Sequence, residues 1–119
     1  MKDTEERSHN LLEPCLLLLL SEKPTHGYDL ARKVAECGFF EREKIDAGTV
    51  YRTLRQLEKE GLVRSLWETE GPGPAKRVYE FTPKAVEALA GWADKVEEIV
   101  QRLKGFHQQL AKFRRPAER

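Results

Sequence analysis

The apolar positions change their period along the chain, and each change marks an element. Leu11, Leu12, Cys15, Leu16, Leu18, Leu19 and Leu20 crowd the first stretch, which predicts a helix from about Asn10 to Ser21. A helix that is apolar nearly all round needs cover on more than one side. Its own domain supplies one cover, and a partner subunit is expected to supply the other at Leu12, Leu16 and Leu19. Lys23-Pro24-Thr25 ends this helix, because proline disfavours helical backbone in the residue before it. Thr25 is placed to cap a second helix over His26–Cys37, with Leu30, Ala31, Val34, Ala35 and part of Tyr28 inward. Gly38 is expected to stop it. Phe39 and Phe40 then read as a loop anchored in the core, and Glu41-Arg42-Glu43-Lys44 as a solvated charged turn.

Asp46 is a good N-cap for a third helix, Ala47–Glu60, with its carboxylate able to take the amide of Gly48 or Thr49. Val50, Leu54 and Leu57 form the inward stripe, and Gly61 stops the helix. The period then shortens to two. Leu62–Thr69 and Lys76–Phe81 read as strands, joined through Glu70-Gly71-Pro72-Gly73-Pro74-Ala75 into a β-hairpin. Thr82-Pro83 is an N-cap followed by proline, a strong start for a last helix reaching about Phe113. Leu89, Trp92, Val96, Ile99, Leu103, Phe106, Leu110 and Phe113 recur there at alternating steps of three and four, an uninterrupted heptad seam. A helix of about 31 residues is roughly 46 Å long. A domain of about 80 residues has a radius of gyration near ~12 Å. Much of the seam is therefore expected to meet a second helix, most simply its own copy, through Leu89, Trp92, Val96, Ile99, Leu103, Phe106 and Leu110.

The expected fold is mainly α with a small β-hairpin: a winged helix-turn-helix domain over residues 1–82, with 1–8 disordered, and a dimerisation helix over 83–114. A basic tail, 115–119, follows. In such domains the third helix enters the major groove and the hairpin touches the flanking backbone or minor groove. Thr49, Arg52, Arg55 and Gln56 lie off the inward stripe and are types that bond base edges or phosphates. Ala47 and Gly48 are small enough for close approach of the backbone to a duplex, at a helix N-terminus that favours a phosphate. Tyr51 can reach a phosphate or sit half-buried in the core. Lys76 and Arg77 carry cations onto the wing.

Composition narrows the alternatives. The chain has 119 residues and a net charge of only +1, so any nucleic-acid surface must come from segregated charge. Between Arg102 and Arg119 six basic residues face one acid. Cys15 and Cys37 show no paired ligand spacing and read as buried free thiols, and the three histidines form no metal motif. No metal or cofactor is expected. Nucleophile elbows, phosphate loops and paired carboxylates in a cleft-forming context are lacking, so an enzyme is not expected. Leu16–Leu20 is far too short to span a bilayer and lacks the flanks of a signal peptide, so a cytoplasmic protein is expected.

Five segments in order resemble the PadR family of transcriptional regulators. They are Glu13-Pro14-Cys15 with Leu16–Leu20, His26-Gly27-Tyr28-Asp29-Leu30, Gly48-Thr49-Val50-Tyr51-Arg52-Thr53-Leu54, Leu57-Glu58-Lys59-Glu60-Gly61-Leu62-Val63, and Lys76-Arg77-Val78-Tyr79-Glu80-Phe81-Thr82. The resemblance covers roughly residues 9–82, and the long last helix agrees in kind. It implies a homodimer whose last helix packs on the partner's first helix, and repression through a dyad-symmetric operator in double-stranded DNA. It also implies release by a small effector in many members. The single C-terminal helix resembles the smaller subfamily, some members of which take planar aromatic compounds between the subunits. Trp92 and Val96 are the residues to flank such a compound, with ordinary interface packing as the plainer role for Trp92. A winged-helix interaction module that has lost DNA binding is the competing function; Glu58 and Glu60 favour it, and Arg52 and Arg55 oppose it.

Overall fold

A computed structural model describes residues 11–40, 45–114 and 116. The N-terminal polar segment, the charged turn at 41–44 and all but one residue of the basic tail lie outside the described residues. The element order is α1 (Leu12–Glu22), β1 (Thr25–His26), α2 (Gly27–Glu36), a short 3-10 turn (Gly38–Phe40), α3 (Ala47–Lys59), β2 (Val63–Glu68), β3 (Lys76–Phe81) and α4 (Lys84–Lys112). By contacts the chain divides into two compact units, one up to Leu89 and one from Ala90 onward.

The first unit packs around α1. Pro14 fits in the first turn of this helix because amides there have no intrahelical partner to lose. Leu12, Leu16, Leu17 and Leu20 are buried against α2, α3 and β3. The expectation that Leu12 and Leu16 face a partner subunit is thereby corrected: both are fully enclosed by their own chain. The leucine that α1 turns outward is Leu18, 57% exposed, with Leu19 half-buried beside it. Five consecutive leucines carry no mark of which face the rest of the chain will take. Lys23 ends α1 in extended backbone ahead of Pro24, as the steric rule requires.

The hairpin is part of a three-stranded antiparallel sheet in the order β1-β3-β2. Thr25 pairs with Tyr79 and His26 with Val78, a two-residue strand too short to show a period in sequence. Thr25 is thus a buried strand residue whose hydroxyl donates to the Lys23 carbonyl at 3.0 Å, not the cap of α2. His26 occupies the cap position without a side-chain capping bond. At the far end of α2, Cys37 turns extended and Gly38 opens the 3-10 turn, so the helix stops without a left-handed glycine. Of the two phenylalanines that follow, only Phe40 is anchored in the core; Phe39 is 59% exposed and meets Phe40 edge-on.

Helix α3 follows its sequence closely. Asp46 accepts from the Thr49 amide at 2.7 Å, and Val50, Leu54 and Leu57 are fully buried. Gly61, at φ 79°, ends the helix in the left-handed region that a side chain disfavours. Thr82 does not cap α4 with its side chain; its hydroxyl lies 2.7 Å from the carbonyl of Gly61 and 3.0 Å from that of Leu62. Lys84 donates to the Glu60 carbonyl at 2.9 Å, so the last turn of α3 and the first of α4 are joined by side chains. Ala85 is buried and Leu89 packs on the core.

Cys15 and Cys37 are free, half-buried thiols lying side by side. Burial, then the neighbouring Cys37 thiol with which it hydrogen-bonds, pushes the Cys15 thiol up to about 11. Little thiolate exists there at neutral pH. Among the described residues no three His, Cys, Asp or Glu side chains gather as a metal site, and no helix is long and apolar enough to cross a membrane.

Candidate nucleic-acid interface

Four elements, β1, α2, α3 and β3, meet at a concave notch of about 430 Å³ lined by His26, Gly27, Tyr28, Asp29, Tyr51, Arg55, Lys76, Arg77 and Tyr79. The geometry follows from the short β1. It pairs with β3 only at Val78 and Tyr79, so the start of β3 is left open beside the first turn of α2. Tyr51 and Arg55 enter from α3. Gly27 makes the meeting possible: a Cβ there would stand 2.7 Å from Tyr51 Cε1 and 3.3 Å from Tyr79 Cε2. Gly27 therefore permits close packing here, and its partners are two tyrosine rings.

The notch is cationic on one side and aromatic on the other. Among the described residues Arg55 and Lys76 have no hydrogen-bond or ion-pair partner, which leaves both free for an anion. Its one carboxylate, Asp29, is engaged by Arg32 at 3.3 Å and lies 3.8 Å from His26. His26 also meets Glu68 at 3.1 Å. Tyr79 is only 3% exposed, and its phenol is raised above its ordinary range by burial first and by Glu58 and Tyr51 next, against the lowering effect of Arg77 and Arg55. It stays a neutral hydroxyl at physiological pH.

The sequence-predicted residues separate into two groups. Tyr51, Arg55, Lys76 and Arg77 come together at the notch. Ala47, Gly48, Arg52 and Gln56 lie exposed along α3 outside its lining, and Thr49 is half-buried. Arg52 donates to the Thr49 hydroxyl at 3.0 Å, and Gln56 donates to Glu60 at 3.0 Å, so both are partly occupied within the helix. Arg77 is the most engaged: it bonds Ser65 at 2.9 Å, lies 3.5 Å from Glu58, and stacks near Trp67 and Tyr79. Sequence reasoning did not place Tyr28, 73% exposed at the notch mouth, or His26 and Tyr79 in this surface. The signal was present in His26-Gly27-Tyr28, where a glycine at a helix start implies that something approaches closely.

On α4, Leu103, Phe106 and Leu110 are each more than half exposed, Val96 is 37% exposed, and Trp92 and Ile99 are half-buried. Lys95 Nζ lies 4.9 Å from the Trp92 ring centroid.

Residues 16–90 match the profile of the transcriptional regulator PadR-like family. Transcriptional regulator Rv3488 of Mycobacterium tuberculosis is 31% identical over 85 residues, spanning 71% of this chain and 75% of the relative. A PadR-like transcriptional regulator from Bacillus cereus superposes with a TM-score of 0.71 at 25% identity, covering 83% of this chain and 93% of its own. A PadR-like transcription factor from Bacteroides fragilis gives 0.69 at 25% identity, covering 85% and 94%.

Proposed function

Because the chain belongs to the PadR-like family of transcriptional regulators, we propose that it acts as a homodimeric repressor of a dyad-symmetric operator. In this reading α3 enters the major groove. Arg52, Gln56 and Thr49 face the bases, and the backbone at Ala47 and Gly48 approaches the duplex. The notch receives the flanking phosphates at Tyr51, Arg55 and Lys76. The observation that carries the reading is the split of α3 into a fully buried stripe and an exposed cationic face that continues into the notch. The exposed apolar residues of α4 support a dimer, since such a stripe gains most by pairing. The partner surface on α1 is Leu18 and Leu19 in place of Leu12 and Leu16.

Selection of bound duplexes from a random pool tests this directly. The expected outcome is a palindromic consensus with half-sites about one turn, ~34 Å, or a multiple of it apart. Affinity for the selected duplex falls steeply as salt rises. Leu103→Glu, which places a charge in the proposed seam, splits the dimer in sedimentation and costs the second half-site. Failure to enrich any sequence, with binding that ignores salt, leaves the interaction module as the surviving function. An aromatic effector between subunits at Trp92 and Val96 is a further part of the reading. Planar dyes should quench Trp92 emission in a Trp67→Phe background; unchanged emission removes the effector slot and leaves the repressor intact.

A further inference from the structure

Glu58 is a carboxylate on the helix proposed to face DNA, and its neighbours explain why it is tolerated. Its Oε2 accepts from Ser65 Oγ on β2 at 2.7 Å. Its Oε1 lies 3.5 Å from Arg77 Nη2 on β3. Arg77 Nε in turn donates to Ser65 Oγ at 2.9 Å. The three residues come from three elements and close a ring. Serine has one proton to give, and Glu58 takes it, so Ser65 is left as the acceptor for Arg77 and the ring has one direction. The guanidinium also lies 5.6 Å from the Trp67 ring centroid and 5.8 Å from that of Tyr79. A planar cation beside two rings, bonded at its edge, has little freedom left.

We propose that Glu58, Ser65 and Arg77 are positioning residues: they clamp the wing to α3 at one fixed spacing, so that Lys76 and the cations of α3 meet the duplex together. The proposal rests on the DNA-binding reading above. It reassigns Arg77 from phosphate contact to clamp and leaves Lys76, its free neighbour, as the wing's phosphate cation. The ring is partly open to water, where an ion pair adds little to folding. Its value therefore lies in geometry and not in stability.

Coulomb's law and the clamp predict opposite signs. Removing a negative charge beside a polyanion should tighten binding if charge is all that Glu58 contributes. If Glu58 holds the wing, removing it should loosen binding. The experiment measures anisotropy of the best duplex from the random-pool selection, and of a scrambled duplex of the same length, over a salt series. Glu58→Gln is expected to bind the selected duplex roughly tenfold more weakly, the scale of one charge-assisted hydrogen bond. The scrambled duplex should change little, and the melting temperature should hold. Arg77→Lys, which keeps the charge and loses the fork, weakens binding as well. Adding Arg77→Met to Glu58→Gln costs less than Arg77→Met does alone, because the pair acts as one unit. In a Trp92→Phe background, Glu58→Gln shifts Trp67 emission without DNA as the guanidinium leaves the ring.

Equal or tighter binding by a folded Glu58→Gln overturns the clamp, and so does additivity with Arg77→Met. Should Glu58→Gln not fold, Ser65→Ala keeps every charge and carries the test. A several-fold loss is then expected, and an unchanged affinity overturns the proposal. If the wild-type chain selects no duplex, the DNA reading fails and the clamp with it, a result distinct from a variant that binds as well as wild type.

Discussion

Leu54 and Leu103 are the same residue type at the same kind of position, a helical stripe, and they meet opposite fates. Leu54 is fully buried on α3, a helix that packs against α1, α2 and β2, whereas Leu103 is 59% exposed on α4. The contrast extends to their surroundings. Before Leu89 the stripes of three helices cover one another, and after Ala90 one stripe runs on with Phe106 and Leu110 equally open. Periodicity thus reports that a face wants cover without saying what covers it. The chain can answer that itself in the first unit; in the second, the answer proposed is a second copy.

Mutation sharpens this comparison, and the largest effect is expected in the enclosed half. Leu54→Ala should lose about 2–5 kcal/mol in urea unfolding, since it leaves a cavity in a core that collapses only partly. A loss under about 1 kcal/mol would mean that the enclosure is looser than described. Gly27→Ala should cost about 1–3 kcal/mol, because the new methyl meets a tyrosine ring and backbone or ring must shift. It should also lower affinity for the selected duplex by displacing Tyr51. Unchanged affinity would detach Tyr51 from the interface. Asp46→Ala removes the cap at the start of α3 and is expected to cost about 1 kcal/mol by thermal melting, with Asp46→Asn recovering most of it.

On the open side, Leu103→Ala should cost least in dilute protein and more as concentration rises, because burial there comes with association. A penalty as large as that of Leu54→Ala at every dilution would mean that the chain covers Leu103 by itself. The smallest effect concerns Cys15. Its thiol is raised in the fold from an ordinary 9.0 to about 11, so its contribution to stability is complete below about pH 9. That contribution is lost as pH climbs through about 11. Alkylation of Cys15 in the native protein should therefore be slow at neutral pH and accelerate only in that alkaline window; rapid labelling near pH 8 would contradict the buried, hydrogen-bonded thiol.

Most of the first unit could be read from residues with one dominant local preference. Asp46 capped α3 through the Thr49 amide, Gly61 ended it, and Lys76–Phe81 formed the strand that alternation indicated. Illegible features depended on distant partners. Two residues cannot display a period, so β1 emerged only from its pairing with Tyr79 and Val78. The orientation of α1 depended on which side α2, α3 and β3 would occupy, and five leucines gave no preference. At the candidate interface, cations were legible as types but not as free or engaged. Lys76 and Arg77 are neighbours in sequence, and only the positions of Glu58 and Ser65 separate their roles.

The side-chain joint between α3 and α4 has a mechanical consequence. Lys84 and Thr82 grip the carbonyls of Glu60, Gly61 and Leu62, so the end of one helix and the root of the next behave as a welded corner. A torque applied at the root of α4 reaches the base of α3 without passing through a flexible strap. In the proposed complex, a groove that tilted α3 would pull on that root by the same stitches.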